Sequence, residues 1–574
     1  MTNRNAKICL CQCWHQQGND LTHPRVEHLG LGYLAASLRI SGRIVNIVDA
    51  ELLKLDLCRT IDAILSSKPD IVGFSVLHTN LVITVATMAA LRRKGFKGKF
   101  IVGGYLGTLH DKDLVSVLPA DVIIVRGEGD KILPLIVDYM LGNGKLSQIP
   151  AITYLEADGT FVRTPKGGLI SNLDDLPFPA RDTLNDVFRL KNPVISVSPA
   201  RGCIHRCNFC SITTFHRLSG IKAWRERNPI SVVEEIEMIL DLPEVQEARA
   251  DFIWFVSDEF MGPIRNGKTY GEMLASEVLN RGLVFRWEIA CRADQVDLNR
   301  FRFLHEAGLR SVYLGIESFS QMQLDSFKKE TTVEQNIEAI NILQKLGISY
   351  TLGTIVFNET AAYEDFIKTH KMIKKLGYRH VTMPLAHLKL FVNPSSGAAL
   401  HIPAPEYKEL ISPLEYEKLY RLAYRIYDYS FLDNKIKFLD KVLKNVREEN
   451  EKLVTYVIDM LDNNLIDGFT FWKLVYLLRD SLGNLIDRVI QAIDFGSENA
   501  DIRKEIFQEI DSVKNELMSF RELIVNSNSS EIKFKVYGRS AIWKRYNRPK
   551  VFPGTEAHFA EKEYMESKEK EILL

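Results

Sequence analysis

The sequence predicts an α/β chain in which two strand–helix series are followed by a mainly helical region. Three observations carry this. Short β-rich runs alternate with helical patterns over residues 1–145 and again over 191–402. A Pro-punctuated connector, LDDLPFPARD at 173–182, separates the two series. Beyond residue 403 long helical patterns replace the alternation. The expected units are a parallel α/β sheet (1–145), a hairpin and connector (146–190), a partial barrel of six βα units (191–402) and a mainly α-helical C-terminal domain (403–574).

In the first unit the strand signals fall at 7–13, 43–48, 70–76, 99–102 and 121–125. Between the first two, Leu29, Tyr33, Leu34 and Leu38 recur at helical spacing, and Gly42 supplies a C-cap signal. The runs Gly103-Gly104 and Gly127-Glu128-Gly129 stand at strand ends, where an open α/β sheet holds ligands. Residues 149–168 read as a hairpin turning at Asp158-Gly159. The second series has strand signals at 194–197, 251–256, 285–290, 311–314, 350–356 and 380–383, and its chemistry is expected at their C-terminal ends.

Composition narrows the function. Lys and Arg total 73 against 73 Asp and Glu, which gives no global attraction to nucleic acid or anionic lipid. The longest apolar runs, 81–91 and 471–478, fall short of the roughly 18–20 residues that span a bilayer. The N-terminus lacks a secretory pattern, and a cytoplasmic location is expected. Eight Cys are too few for a disulfide framework, yet three lie within eight residues.

Those three, Cys203, Cys207 and Cys210, form C-x3-C-x2-C in RGCIHRCNFC directly after a strand. Three thiolates on one short loop can hold three irons of a four-iron cluster and leave the fourth open. A tetrahedral zinc site competes with this reading but needs a fourth ligand; no second Cys pair completes it, and His205 or His216 would require a cramped loop. With Phe209 before the last Cys, the motif resembles the radical S-adenosylmethionine (SAM) superfamily. The resemblance implies a 4Fe-4S cluster whose open iron chelates SAM, and an electron donor such as flavodoxin or ferredoxin. It also implies SAM contacts at later strand ends: Ser257-Asp258-Glu259 in place of the usual Gly-Gly-Glu amino-binding motif, Arg292 for the carboxylate, and Glu317 or Ser318 for the ribose. Capping of the following helices is the alternative role for these Ser, Asp and Glu residues.

The first unit resembles the Rossmann-like cobalamin-binding domain of the cobalamin-binding radical SAM subfamily. The resemblance rests on LGLGYLAASL at 29–38, VGFS at 72–75, VGG at 102–104, RGEG at 126–129 and the connector, in that order. It implies corrinoid contacts at Ser75, Gly103, Gly104, Gly127, Glu128 and Gly129. A nucleotide-binding or purely structural sheet is the alternative, but the G-x-G-x-x-G fingerprint after the first strand is absent. The lower-ligand run Asp-x-His-x-x-Gly of cobalamin mutases and methionine synthase appears here as Cys13-Trp-His15-Gln-Gln-Gly18, without the Asp that would orient His15. Cobalt with no protein ligand from this loop is expected, with His15 ligation as the alternative. Cys9, Cys11, Cys13 and Cys58 are expected to be buried apolar residues.

The implied fold is therefore a cobalamin-binding domain, a radical SAM partial (β/α)6 barrel and a helical C-terminal domain. The implied function is a cobalamin-dependent methyltransferase acting on an unactivated carbon, or a phosphinate, of a small-molecule substrate. Competing functions are a porphyrin-type cyclase or ring-rearranging enzyme, a methylthiotransferase, and a non-catalytic cobalamin or redox sensor. His387, Phe391 and Asn393 follow the sixth strand signal and are candidate pocket residues. The basic and aromatic residues at 533–550 read as a solvated face, and nucleic acid is not an expected partner.

Overall fold

The structure, a computed structural model, describes residues 6–14, 26–167, 170–190, 193–220, 224–358 and 360–381, with scattered positions between 410 and 494. The first unit runs β1 (Lys7–Gln12), α1 (Leu29–Ile40), β2 (Ile44–Asp49), α2 (Leu57–Ser66), β3 (Ile71–Ser75), α3 (Leu81–Arg93), β4 (Lys99–Gly103), α4 (Tyr105–Leu109), α5 (Asp111–Leu114), β5 (Ile123–Val125) and α6 (Ile132–Met140). A hairpin of β6 (Ile152–Leu155) and β7 (Phe161–Arg163) follows. The sheet order is β2-β1-β3-β4-β5-β6-β7. Its first five strands are parallel and the hairpin adds antiparallel to β5. The hairpin, set apart from the first unit in sequence, is thus the edge of the same sheet. The order reverses between β1 and β3, which makes their C-terminal ends a switch point for ligand binding.

Both faces of this sheet are covered, and β1 shows why. Ile8 and Leu10 pack with α1 and α6, while Cys9, Cys11 and Cys13 point into the opposite core with α2 and α3. Burial pushes the Cys9 thiol up to about 12, so it stays a neutral packing group. Cys58 departs from the expectation: it is exposed, because it lies one position off the α2 stripe formed by Leu57, Ile61 and Ile64.

The second unit runs α7 (Leu184–Phe188), β8 (Ile195–Val197), β9 (Ala200–Gly202), α8 (Ser211–Ser219), β10 (Trp224–Glu226), α9 (Pro229–Leu240), α10 (Pro243–Ala248), β11 (Phe252–Phe255), α11 (Tyr270–Asn280), β12 (Arg286–Arg292), α12 (Leu298–Glu306), β13 (Leu309–Glu317), α13 (Gln321–Ser326), α14 (Val333–Leu346), β14 (Ser349–Thr354) and α15 (Tyr363–Leu376). Strands β8-β11-β12-β13-β14 form one parallel sheet, and a parallel bridge from Leu352 to Val381 begins the sixth position. Helix starts follow local rules: Thr269 with Glu272 and Thr332 with Gln335 form capping boxes on α11 and α14. The short antiparallel pair β9–β10, absent from the sequence reading, brackets the cysteine loop.

C-terminal positions pack on both units. Leu419 and Leu422 join the α2–α3 core, while Ile436, Leu439, Leu482, Ile486 and Val489 join the barrel core. The remainder of the expected helical region, the strand signal at 532–537, the 533–550 face, His15, His387, Phe391 and Asn393 lie outside the described residues.

The two units are held edge to edge by charge. Glu128 pairs with both guanidinium ends of Arg225 at 2.9 and 2.7 Å, and Asp130 with Arg201 at 3.0 and 3.2 Å. Arg201 also stacks over Tyr33 of α1, 4.9 Å from the ring centre. In the connector Arg181 binds Glu27 on one side and Glu235 on the other, and Ala180 N–H donates to Gly32 O at 3.0 Å. A Cβ at Gly32 would stand 2.7 Å from that Ala180 oxygen, so the helix–connector contact requires glycine there.

Arg225 has a side chain only 2% exposed. Glu128→Gln leaves its charge buried and unneutralised, which costs about 3 kcal/mol. The expected outcome is a lower thermal midpoint with faster proteolysis at the connector; an unchanged midpoint in calorimetry would contradict this role.

Candidate functional site

The cysteine loop leaves β9 through Gly202, whose φ of +92° is a left-handed turn. Gly202 N–H donates to Asp258 at 3.1 Å, which ties the loop to the end of β11. Cys210 N–H donates to Cys207 O at 3.2 Å, and α8 begins at the next residue. Asn208 clamps the loop from behind, donating to Phe327 O at 3.1 Å and Ser326 O at 2.8 Å, while Phe209 meets the Phe327 ring edge-on at 5.4 Å.

Burial pushes the Cys203 thiol up to about 12 and raises Cys210 above the usual thiol range. Free thiolates are therefore disfavoured here, and bound iron is what would hold these sulfurs deprotonated. Among the described residues no three His, Cys, Asp or Glu side chains converge on a point fit for a single metal ion.

The later strand ends divide into groups that face the loop and groups turned inward. Arg292, at the end of β12, is buried with its Nη1 directed at Cys207 Sγ, 3.5 Å away. Asp294 occupies its Nε–Nη2 edge at 2.9 and 3.1 Å, which fixes the guanidinium and leaves only the outer donors free. Asp258 is exposed at the strand end, and desolvation by its surroundings raises its carboxyl above the usual range despite the Gly202 N–H. Ser257 Oγ is buried without a hydrogen-bond partner, as expected of an atom that awaits a polar ligand.

Glu259 differs from the expected amino-group contact. Its oxygens accept from Met261 N, Gly262 N and Gln295 Nε2 at 2.7, 2.8 and 2.7 Å, and it is buried beneath the β11–α11 turn. Ser318 is likewise buried, accepting from Ser320 N at 3.0 Å and meeting Thr369 Oγ1 at 3.1 Å. Both satisfy backbone N–H groups of the turns that follow their strands rather than the helix N-termini that competed with ligand contact in the sequence reading, since Thr269 caps α11 and α13 has no side-chain cap. Glu317 adopts φ +59° at a β13 bulge and receives Lys329 Nζ at 2.8 Å. Lys329, which the sequence did not single out, also lies 5.8 Å from the Phe209 ring.

On the first sheet the strand-end glycines have different reasons. Gly104 has φ +91°, and a Cβ there would stand 2.9 Å from Val76 N and O, so its glycine serves the backbone rather than a ligand. Gly127 has φ +78° and donates to Thr108 Oγ1 at 2.8 Å. A Cβ at Gly129 would come 3.1 Å from Leu34 Cδ2. Gly103 is the least crowded: a Cβ there would meet only Val125 Cβ, at 3.8 Å, an ordinary contact, so the strand end does not itself require glycine. Glu128 is committed to Arg225 and Arg201. Ser75 is half-buried at the switch point, 3.3 Å from His28 Nε2.

The two edges meet at Tyr105, the second residue after Gly103. Its hydroxyl donates to Ser211 Oγ at 3.0 Å, one residue after Cys210, and its ring stacks on Phe215 of α8 at 5.0 Å and 7°. Burial raises the phenol well above its ordinary range, so it stays a neutral donor. No pattern in the sequence marked Tyr105; only the packing of α4 on α8 does.

Comparisons with known proteins agree with this geometry. Residues 197–373 match the model of the radical SAM superfamily, and residues 22–137 match the B12 binding domain. The chain is 27% identical over 342 residues to the hopanoid C-3 methylase of Methylococcus capsulatus, covering 58% of this chain and 61% of that protein. It is 29% identical over 353 residues to the anaerobic magnesium-protoporphyrin IX monomethyl ester cyclase of Rubrivivax gelatinosus, covering 60% of this chain and 61% of that one. The matched region thus spans about three fifths of these relatives. Its fold is similar to the cobalamin-dependent radical SAM enzyme OxsB with aqua-cobalamin and S-adenosylmethionine bound, at a TM-score of 0.67 and 16% identity over 98% of this chain and 84% of that one. Both domain types are thus present in the order that the strand ends suggested, a B12 binding domain followed by a radical SAM domain, as in the cobalamin-dependent radical SAM enzymes to which the chain is similar.

Proposed function

We propose that the chain is a methyltransferase acting on an unactivated carbon, or a phosphinate centre, of a small-molecule or natural-product substrate. The observation that carries the reading is the Tyr105–Ser211 contact. It joins the turn after Gly103 to the residue after Cys210, so that groups bound at the two strand ends would lie side by side. Radical transfer needs such proximity in a water-poor space.

When bound, the cluster with SAM supplies a 5′-deoxyadenosyl radical and the corrinoid supplies a methyl group. The chain's own residues do the holding. Cys203, Cys207 and Cys210 would ligate three irons. The outer donors of Arg292, fixed by Asp294, would take the SAM carboxylate, with Asp258 and Ser257 offered to its amino group. Lys329 holds Glu317 where a ribose hydroxyl would reach its second oxygen. The Tyr105–Phe215 stack packs α4 on α8 beside the cysteine loop. The substrate proposed is a small molecule, with an external electron donor such as flavodoxin or ferredoxin supplying the electron. No helix among the described residues is long and apolar enough to cross a membrane.

Cyclisation or ring rearrangement of a porphyrin-type substrate is the second reading, favoured by the similarity to the magnesium-protoporphyrin cyclase. Anaerobic reconstitution with iron, sulfide, hydroxocobalamin and methyl-labelled SAM against a small-molecule extract separates the two. Methyl transfer yields a product carrying the label; a SAM-dependent product without label would establish the cyclase reading instead.

Two substitutions test the site. A triple Cys→Ala variant at 203, 207 and 210 should lose its iron and broad visible absorption, and retention of a full cluster would refute the ligand assignment. Arg292→Lys keeps the charge but loses the planar donors, so SAM affinity should fall roughly tenfold with iron content unchanged. Unaltered affinity in equilibrium dialysis would remove Arg292 from the SAM site.

A further inference from the structure

His28 is the N-cap of α1, and its place at the β1/β3 switch point has a use that capping does not exhaust. Leu31 N–H donates to Nδ1 at 3.1 Å, which reserves that nitrogen as an acceptor. The neutral ring then carries its proton on Nε2, which lies 3.3 Å from Ser75 Oγ. Asp49, buried at the end of β2, accepts from the His28 backbone N–H at 3.0 Å and holds the residue in register. Gly30 lets the ring fold over the first turn, because a Cβ there would stand 2.9 Å from His28 Cε1.

The consequence falls on the Ser75 hydroxyl. A serine oxygen that accepts from an imidazole N–H turns its own proton away from that ring. Among the described residues His28 is the only side chain given to Ser75 Oγ as a hydrogen-bond partner. Ser75 is half-buried, and its neighbour across the edge is the side-chain-free strand end at Gly103. We infer that His28 is a positioning residue that aims the Ser75 O–H at an acceptor on the nucleotide tail of the bound corrinoid. The inference rests on the B12-binding reading of this domain.

The test uses the full chain and two probes, hydroxocobalamin and dicyanocobinamide, which lacks the nucleotide tail. Binding is read from the visible spectrum. His28→Asn keeps a capping side chain but is too short to reach Ser75, so it separates the proposed role from helix stability. Ser75→Ala and His28→Asn should each weaken hydroxocobalamin binding roughly tenfold, the loss of one well-placed hydrogen bond, and leave cobinamide binding unchanged. Because the two residues act through one bond, the double variant should be no weaker than Ser75→Ala alone. Wild-type hydroxocobalamin affinity in His28→Asn, equal losses for both probes, or additive losses in the double variant would each overturn the inference while leaving corrinoid binding itself in place. A wild-type chain that binds neither probe would instead overturn the cobalamin reading together with it.

Discussion

Two carboxylates on one turn, Glu128 and Asp130, each hold an arginine of the second unit, and the rest of the site depends on that pairing. Arg225 and Arg201 flank the cysteine loop on β10 and β9, so the clamp fixes the strand ends of one sheet against the loop of the other. Taking such charges out of water is costly, and these pairs offset the cost through two-point geometry. The reward is specificity of arrangement: with the frame set, Tyr105 of the first unit reaches Ser211 beside the cysteine loop of the second.

Within that frame the glycines show how little a residue type says alone. Gly104 and Gly127 are demanded by positive φ, and Gly30 and Gly32 by a close ring and a close carbonyl. At Gly103, by contrast, a Cβ would meet only an ordinary contact with Val125, so neither φ nor packing demands glycine there. A strand-end glycine is therefore an argument for a ligand only after the backbone's own needs have been met.

Much of the architecture was legible in the sequence because parallel strands buried on both faces appear as apolar runs; β1 to β5 lie within about two residues of where those runs place them. The cysteine triad was legible from its spacing. The β9–β10 pair was not, since two three-residue strands carrying Arg201, Arg225 and Glu226 show no apolar alternation. Strand-end polar residues were legible in place but not in direction: Arg292 and Asp258 face the cysteine loop, whereas Glu259 and Ser318 turn into the fold to satisfy backbone donors. Lys329 and His28 were invisible because each acts through a partner distant in sequence, Glu317 and Ser75.

The central claim is that both cofactors lie side by side at the strand ends joined by the Tyr105–Ser211 contact. Electron paramagnetic resonance tests it most directly. The anaerobically reconstituted chain would be prepared with the corrinoid as Co(II) and the cluster either oxidised and diamagnetic or reduced and paramagnetic. Such proximity predicts that cluster reduction broadens the Co(II) signal and speeds its relaxation. A Co(II) signal indifferent to the state of the cluster would contradict the account.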